Sequence, residues 1–313
     1  MEVFGPIQSR RLGLSLGINH LPPKTCSYSC VYCQLGRTSF MTTNRSLFSQ
    51  PTETAHCVQE RLEELHHNGI KPDVITFVSN GEPTLDRGLG ESLRLVGEFG
   101  IPTAVITNAS MVWHPDVSQQ LMEADIVSLK IDSVINESWH AIDRPHGTLR
   151  LDKVFNGIHW FAHSFKGRLI TETMLINGIN DTDEEANAAA TFIADLNPAV
   201  AYLALPLRPP AEDWVKAPTQ ARLTAVYHIF QSMIPRVEIL MNLPESDLSD
   251  SDHPVDNLLN TLMVHPLPRK EIEQFLNQRQ LNITTLDDLV SQKKVKEVQY
   301  KGETFYIFRY ESR

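Results

Sequence analysis

This chain lacks the residues to build a disulfide framework, a membrane span or a basic tail. Only four cysteines occur in 313 residues, too few and too clustered for the stapled scaffolds of small secreted domains. No apolar run approaches the ~20 residues needed to cross a bilayer. The opening Met-Glu-Val-Phe-Gly-Pro has no basic stretch followed by an apolar one, so no secretory signal is expected, and the reducing cytoplasm is the expected compartment. Cations are the scarcer charge. With 28 Lys and Arg against 38 Asp and Glu, the formal net charge is -10, which argues against a broadly basic nucleic-acid surface but leaves room for a local patch. Internal repeats and low-complexity tracts are also missing. Hydrophobic residues at 42% and charged residues at 21% are ordinary for a globular protein, which sets aside disordered and fibrous classes.

What is present is a cluster of three cysteines, Cys26-Ser-Tyr-Ser-Cys30-Val-Tyr32-Cys33, on a loop after Pro22-Pro23. Thiolates select zinc or iron-sulfur centres over hard cations, and closed structural zinc sites take four protein ligands. Three cysteines without an evident fourth suggest a cubane cluster with one iron left open, and hence a candidate reaction centre. The competing reading is a zinc site completed by Cys57 or by His56, His66 or His67, which would make the chain a zinc-bound interaction protein and not an enzyme. Cys57 is expected to be a buried small hydrophobe beside Val58.

Length suits an α/β barrel with a small appendage. Short β-branched runs alternate with longer amphipathic segments from Asp73 to Leu240, the pattern of βα units on a parallel sheet. Strands are expected over 12-19, 73-78, 102-107, 126-131, 168-175 and 200-205, and helices near 53-68, 88-99, 150-164 and 183-196. Six units cannot close an eight-stranded barrel. The expected fold is therefore α/β, a partial six-unit TIM-like barrel over residues 1-242, with its chemistry at the carboxyl ends of the strands. Residues 243-253 are polar and acidic and read as a linker. Beyond them, apolar-periodic segments at 255-263, 269-278 and 284-292 precede two strand-like runs joined at Lys301-Gly302, so 254-313 reads as a winged-helix-like domain.

Candidate site residues sit at the strand ends. Gly81 and Glu82 follow the second strand, where glycine permits a close approach and the carboxylate could hold a ligand ammonium. An ordinary turn with a solvated Glu is the alternative. Asn108 follows the third strand, as a ribose or amino-acid contact or as a helix cap. Alternation in the fourth strand puts Ser128, Lys130 and Asp132 on one face. The inward orientation is expected, since charges seldom face a helix layer unpaired. Arg144, His146 and Arg208 lie on loops near strand ends, where arginine clasps a carboxylate or phosphate or forms a structural ion pair.

In this order, Cys26-x3-Cys30-x2-Cys33 with Tyr32 before the last cysteine, then Gly81-Glu82-Pro83, resembles the radical S-adenosylmethionine enzymes. Within that superfamily, the segment Arg10-Arg11-Leu-Gly-Leu-Ser-Leu-Gly-Ile-Asn19 and Cys33-Gln34-Leu35-Gly36-Arg37-Thr38 are similar to a group of predicted iron-sulfur oxidoreductases related to the tRNA wyosine synthases. The resemblance implies a 4Fe-4S cluster on Cys26, Cys30 and Cys33, which are then both metal-binding and catalytic. It implies S-adenosylmethionine as cofactor, with Gly81 and Glu82 at its amino group, Tyr32 beside the adenine, and Asn108, Ser128 and Lys130 at the ribose and carboxylate. Arg144, His146 and Arg208 would face the substrate, an RNA base or a peptide, with tRNA or peptide held through the C-terminal domain. A reducing donor such as flavodoxin or ferredoxin is a further implied partner. Archaeal wyosine synthases carry extra cysteines for a second cluster; this chain has only Cys57 to spare, so a single cluster is expected.

Overall fold

The computed structural model describes residues 2–240, 254–264 and 266–309. The chain begins with a hairpin, β1 (Glu2–Ser9) and β2 (Gly13–Asn19), followed by the short pair β3 (Thr25–Cys26) and β4 (Phe40–Met41) that brackets the cysteine loop. Helix α1 (Pro51–His67) then leads to β5 (Val74–Phe77), α2 (Leu89–Gly97), β6 (Thr103–Thr107), α3 (Pro115–Leu121) and β7 (Ile126–Lys130). After α4 (Asn136–Asp143) and α5 (Leu151–Ser164) come β8 (Arg168–Met174), α6 (Asp183–Asp195), β9 (Val200–Ala204), α7 (Gln220–Met233) and β10 (Val237–Leu240).

These strands form one eight-stranded sheet in the order β1-β2-β5-β6-β7-β8-β9-β10. Only β1 runs antiparallel to its neighbour. Every residue of β5 and of β9 is buried, as runs such as Val-Ile-Thr-Phe require when both faces of a parallel strand are covered. One face packs against the helices through a continuous core that includes Val58, Leu93, Ile158 and Ile193, each worth about 1.5–3 kcal/mol by its burial. Helix α6 starts where the Thr182 side chain accepts from the Glu185 amide and caps it.

The sheet has two strands more than the six expected. In β1, Gly5-Pro6 punctuates the run and hides the period, while β10 is only four residues long and half-buried. Helices α3, α4 and α7 were likewise not anticipated, the first two because seven or eight residues hold barely two turns of apolar period. Arg10, just past β1, donates to the Leu240 carbonyl at the end of β10 at 3.1 Å, so the two edges of the sheet are brought within one side chain of each other.

The remaining elements are α8 (Pro254–Val264), β11 (Leu267–Pro268), α9 (Arg269–Gln278), α10 (Thr284–Ser291), β12 (Val295–Tyr300) and β13 (Glu303–Phe308). Their strands form a separate antiparallel sheet, β11-β13-β12, over a separate core built on Leu258, Leu262, Phe275 and Tyr306. They touch the main sheet at the loop after β9. There Tyr300 Oη and Lys301 Nζ donate to the Pro206 carbonyl at 2.8 and 3.1 Å, and Arg208 Nε donates to Pro266 O at 3.0 Å. The acidic 243-253 segment expected as a linker lies outside the described residues. No helix among the described residues is long and apolar enough to cross a membrane.

Candidate functional site

The cysteine loop is fixed by main-chain hydrogen bonds from two sides. On one side the Lys24 amide donates to Asn80 O at 2.6 Å and the Glu82 amide to Thr25 O at 3.0 Å, tying the loop to the turn after β5. On the other the Ser29 amide donates to Asp143 O at 3.0 Å and the Val31 amide to Ile142 O at 2.9 Å, tying it to the end of α4. Gly81 is required by this crossing: a Cβ there would lie 1.7 Å from Thr25 O. The close approach that its glycine permits is to the cysteine loop's own backbone.

Cys26, Cys30 and Cys33 open onto one cavity of about 330 Å³ on the sheet face away from the helices, with Ile106, Met174 and Ala204 among its apolar lining. Burial pushes the Cys26 thiol up to about 12, and raises Cys30 and Cys33 as well. Thiols so placed ionise only when a positive centre compensates. Asn108 Nδ2 donates to Ser27 Oγ at 3.0 Å and points at Cys26 Sγ at 3.5 Å, while Cys30 Sγ lies 3.3 Å from Asp143 Oδ1.

None of the fourth-ligand candidates Cys57, His56, His66 and His67 lines the cavity onto which the three cysteines open. Cys57 is half-buried on α1, not fully buried as expected; His56 on the same helix faces Glu60, and His67 bonds the Glu63 carbonyl. Among the described residues, the set of three Cys, His, Asp or Glu ligand atoms that converges within 4.8 Å is His159, His163 and Asp195, exposed on α5 and α6. Zinc-sulfur bonds of ~2.3 Å would draw thiolates on one tetrahedral ion closer together than that. The sulfurs of Cys26, Cys30 and Cys33 do not all lie within that distance of one another.

The other expected site residues divide. Lys130 does point inward: its Nζ donates to Glu172 Oε1 at 2.8 Å and lies 4.6 Å from the centre of the Tyr32 ring, and all three side chains line the cavity. Tyr32 Oη bonds the buried Asp132 carboxylate, and burial, reinforced by Asp132, raises the Asp143 carboxyl well above the usual range. Glu82 requires correction. Its carboxylate is buried and accepts from the Thr84 amide at 3.0 Å, Thr84 Oγ1 at 2.6 Å, Thr107 Oγ1 at 2.5 Å and the Asn108 amide at 2.7 Å, so it staples the turn to β6 and does not face the cavity. Asn108 likewise serves the cysteine loop. Ser128 is buried beside Ile106 and is not among the residues lining the cavity.

Of the three loop residues, only Arg208 lines the cavity. Arg144 pairs with Glu212, which also takes a bidentate grip from Arg37 at 2.8 and 3.0 Å, and the Glu212 amide donates to Val31 O at 3.0 Å. His146 holds Ser27 O through its amide at 2.8 Å, while its ring faces Thr148. Both are structural because the far end of the cysteine loop needs anchors. Glu212 went unnoticed because nothing in a loop sequence marks the partner of two arginines 68 and 175 positions away.

Comparison with known proteins decides the family. Residues 21–190 match the Radical SAM superfamily. The chain belongs to that superfamily. It is 39% identical over 312 residues to the UPF0026 protein MJ1312 of Methanocaldococcus jannaschii, covering 99% of this chain and 97% of that one. It is 25% identical over 213 residues to the probable dual-specificity RNA methyltransferase RlmN of a Thermotoga species, covering 65% of this chain and 58% of that one. The solved structure of TYW1 with a lysine-pyruvate adduct bound superposes with a TM-score of 0.54 at 15% identity, covering 70% of this chain and 74% of that one, which shows a shared α/β fold. This radical SAM protein is thus an enzyme of a family that uses S-adenosylmethionine and an iron-sulfur cluster, and three thiols around one cavity fit such a cluster.

Proposed function

We propose that Cys26, Cys30 and Cys33 hold a single 4Fe-4S cluster and that the enzyme reductively cleaves S-adenosylmethionine beside it, acting on an RNA base. The observation that carries this reading is the set of three cysteine side chains opening onto one cavity with Lys130 and Tyr32. Held on these cysteines, the cluster would supply an electron for reductive cleavage of S-adenosylmethionine. The chain's own residues position and protect. Main-chain groups of Asn80 and Gly81 at the cavity wall are the ammonium contacts, Glu82 fixes that turn from behind, and Lys130 offers its charge to a carboxylate. The apolar side chains Ile106 and Met174 exclude water from the reacting groups.

The architecture supports the same reading. We take the sheet, with Arg10 bridging its edges, as an open barrel over residues 1-242, and residues 254-313 with their separate core as a winged-helix-like module. The RNA assignment rests on the RlmN relative and on Lys293, Lys294 and Lys296 at the start of the last hairpin; the cavity's Lys24 is lowered chiefly by burial and further by Lys296. A flavodoxin or ferredoxin is the matching reductant. The test is anaerobic reconstitution followed by dithionite and S-adenosylmethionine, with chromatography for 5'-deoxyadenosine. Product is expected from the wild type and not from Cys30→Ala, and equal traces from both would overturn the proposal.

A further inference from the structure

Away from the cavity, a second set of chemistry-bearing side chains plays no part in the function proposed above. His159 and His163 on α5 and Asp195, the last residue of α6, place their ligand atoms within 4.8 Å of one another, and all three are exposed. None of them lines the cavity. The two histidines are four residues apart on one face of α5, with ring centres 4.3 Å apart. Phe155, one turn earlier on the same face, meets Phe192 of α6 edge-on at 4.7 Å, and Asp195 follows Phe192 by three residues. The seam that seats the two phenyl rings therefore also sets the carboxylate opposite the imidazoles.

Distances and orientations suit a shared ion. His159 Nε2 lies 2.9 Å from Asp195 Oδ2. Two such atoms on one tetrahedral zinc, each about 2.0–2.1 Å from it, stand roughly 3.3 Å apart, so only a small opening admits the metal. His163 is oriented from behind: its Nδ1 lies 2.9 Å from the His159 carbonyl, which can only accept. The neutral ring therefore carries its proton on Nδ1 and offers the Nε2 lone pair outward, the arrangement that a metal-bound histidine takes. Asp195 gives a separate indication. The three acids in the first turn of α6 complement the helix dipole, whereas a carboxylate at its far end opposes it, and no basic residue stands in that last turn. A neutral imidazole offers the carboxylate a hydrogen bond but no charge; a divalent ion supplies the charge.

The geometry points to a zinc site on His159, His163 and Asp195 that clips the last turn of α5 to the last turn of α6. Two imidazoles and one carboxylate suit zinc and its transition-metal neighbours, whereas magnesium and calcium prefer all-oxygen sets. Three protein ligands leave one tetrahedral position for water. Because α5 and α6 flank β8 in the chain, the ion would fasten the two connections of the strand that carries Glu172.

The experiment is equilibrium dialysis of the anaerobically reconstituted full chain against zinc, with bound metal read by elemental mass spectrometry. Wild type should take up one zinc per chain beyond its iron, and His163→Ala and Asp195→Asn should each weaken that uptake at least tenfold. Both side chains are exposed, so circular dichroism of the variants should match wild type. X-ray absorption at the zinc edge should show nitrogen and oxygen at about 2.0–2.1 Å, with imidazole scattering and no sulfur at about 2.3 Å. Amide exchange in the last turns of α5 and α6 should slow when zinc is added to wild type and not when it is added to His163→Ala. The inference is overturned by no uptake, by equal uptake in wild type and His163→Ala, by a sulfur shell that assigns the zinc to cysteines, or by unchanged exchange in those turns. Cys30→Ala, expected to lose the cluster, should keep the His163-dependent zinc, so failure of the radical reading and failure of this site are scored separately.

Discussion

Replacing Glu82 separates two roles that a Gly-Glu-Pro turn can play. If the carboxylate were a ligand group, Glu82→Ala would leave stability nearly unchanged and remove affinity for S-adenosylmethionine. In the structure it instead accepts four hydrogen bonds, two from the amides of Thr84 and Asn108 and two from the hydroxyls of Thr84 and Thr107, at 1% exposure. The hydroxyls can rotate to other partners, but the amides cannot. Orphaning two buried N–H groups at ~1–3 kcal/mol each gives a loss of about 2–6 kcal/mol. Glu82→Gln does not rescue it, because one end of the amide must turn an NH₂ toward either Asn108 N–H or the Thr84 donors. Guanidinium denaturation of the cofactor-free chain is the assay, since no ligand can contribute there. The pH dependence carries a sign as well. Burial raises the Glu82 carboxyl in the folded state, so its contribution is complete below the unfolded value and declines as pH rises through the raised one; Glu82→Ala should abolish that decline. A Glu82→Ala chain as stable as wild type but unable to bind S-adenosylmethionine would refute the staple.

Other perturbations follow from the same contacts. His20, buried between Ser79 and the Pro83 carbonyl, is held down to about 4 by burial even with Asp86 4.0 Å away, so its contribution is present above the unfolded value near 6.5 and is lost as pH falls toward 4. Denaturation at pH 4.5 and 7 should show a difference of about 3 kcal/mol or less that His20→Gln removes, and an unchanged slope in that variant would contradict it. Gly81→Ala drives a methyl into Thr25 O, which must displace the cysteine loop; iron bound after reconstitution should fall well below wild type while circular dichroism of the α/β fold persists, and full iron loading would show the crossing to be looser than it is here. Glu212→Ala frees Arg37 and Arg144 together and should speed hydrogen exchange in residues 29–38 without changing that of β5 to β9, a pattern that a uniform increase across the chain would contradict.

Legibility followed period and spacing. Runs rich in β-branched and apolar residues such as Val74–Phe77 and Val200–Ala204 declared their strands, and the cysteine spacing declared the loop, because each signal is contained in a few consecutive residues. What escaped was set by distant partners. The first strand is interrupted by Gly5-Pro6, and only its pairing with Gly13–Asn19 makes it a strand. Glu82 and Asn108 were visible as polar groups at strand ends, but whether such a group faces a cavity or a neighbouring turn depends on contacts 25 to 82 residues away. Arg144 and Arg208 look alike in sequence, each an arginine before a proline, yet one is taken by Glu212 and the other reaches the cavity.

That difference bears on how the site can be built before any cofactor arrives. The loop between Lys24 and Thr42 buries Tyr28, Val31 and Tyr32, and its shape depends further on main-chain bonds to the turn after β5 and to the end of α4 and on one carboxylate clamp. Bonds of that kind impose geometry without imposing side-chain identity, which frees Ser27, Tyr28, Ser29 and Val31 to serve packing while the three cysteines keep their directions. Burial, and Asp143 beside Cys30, keep the three cysteines as neutral thiols in the cofactor-free state, so filling the site must release their protons and the stability gained by linkage should grow as pH rises.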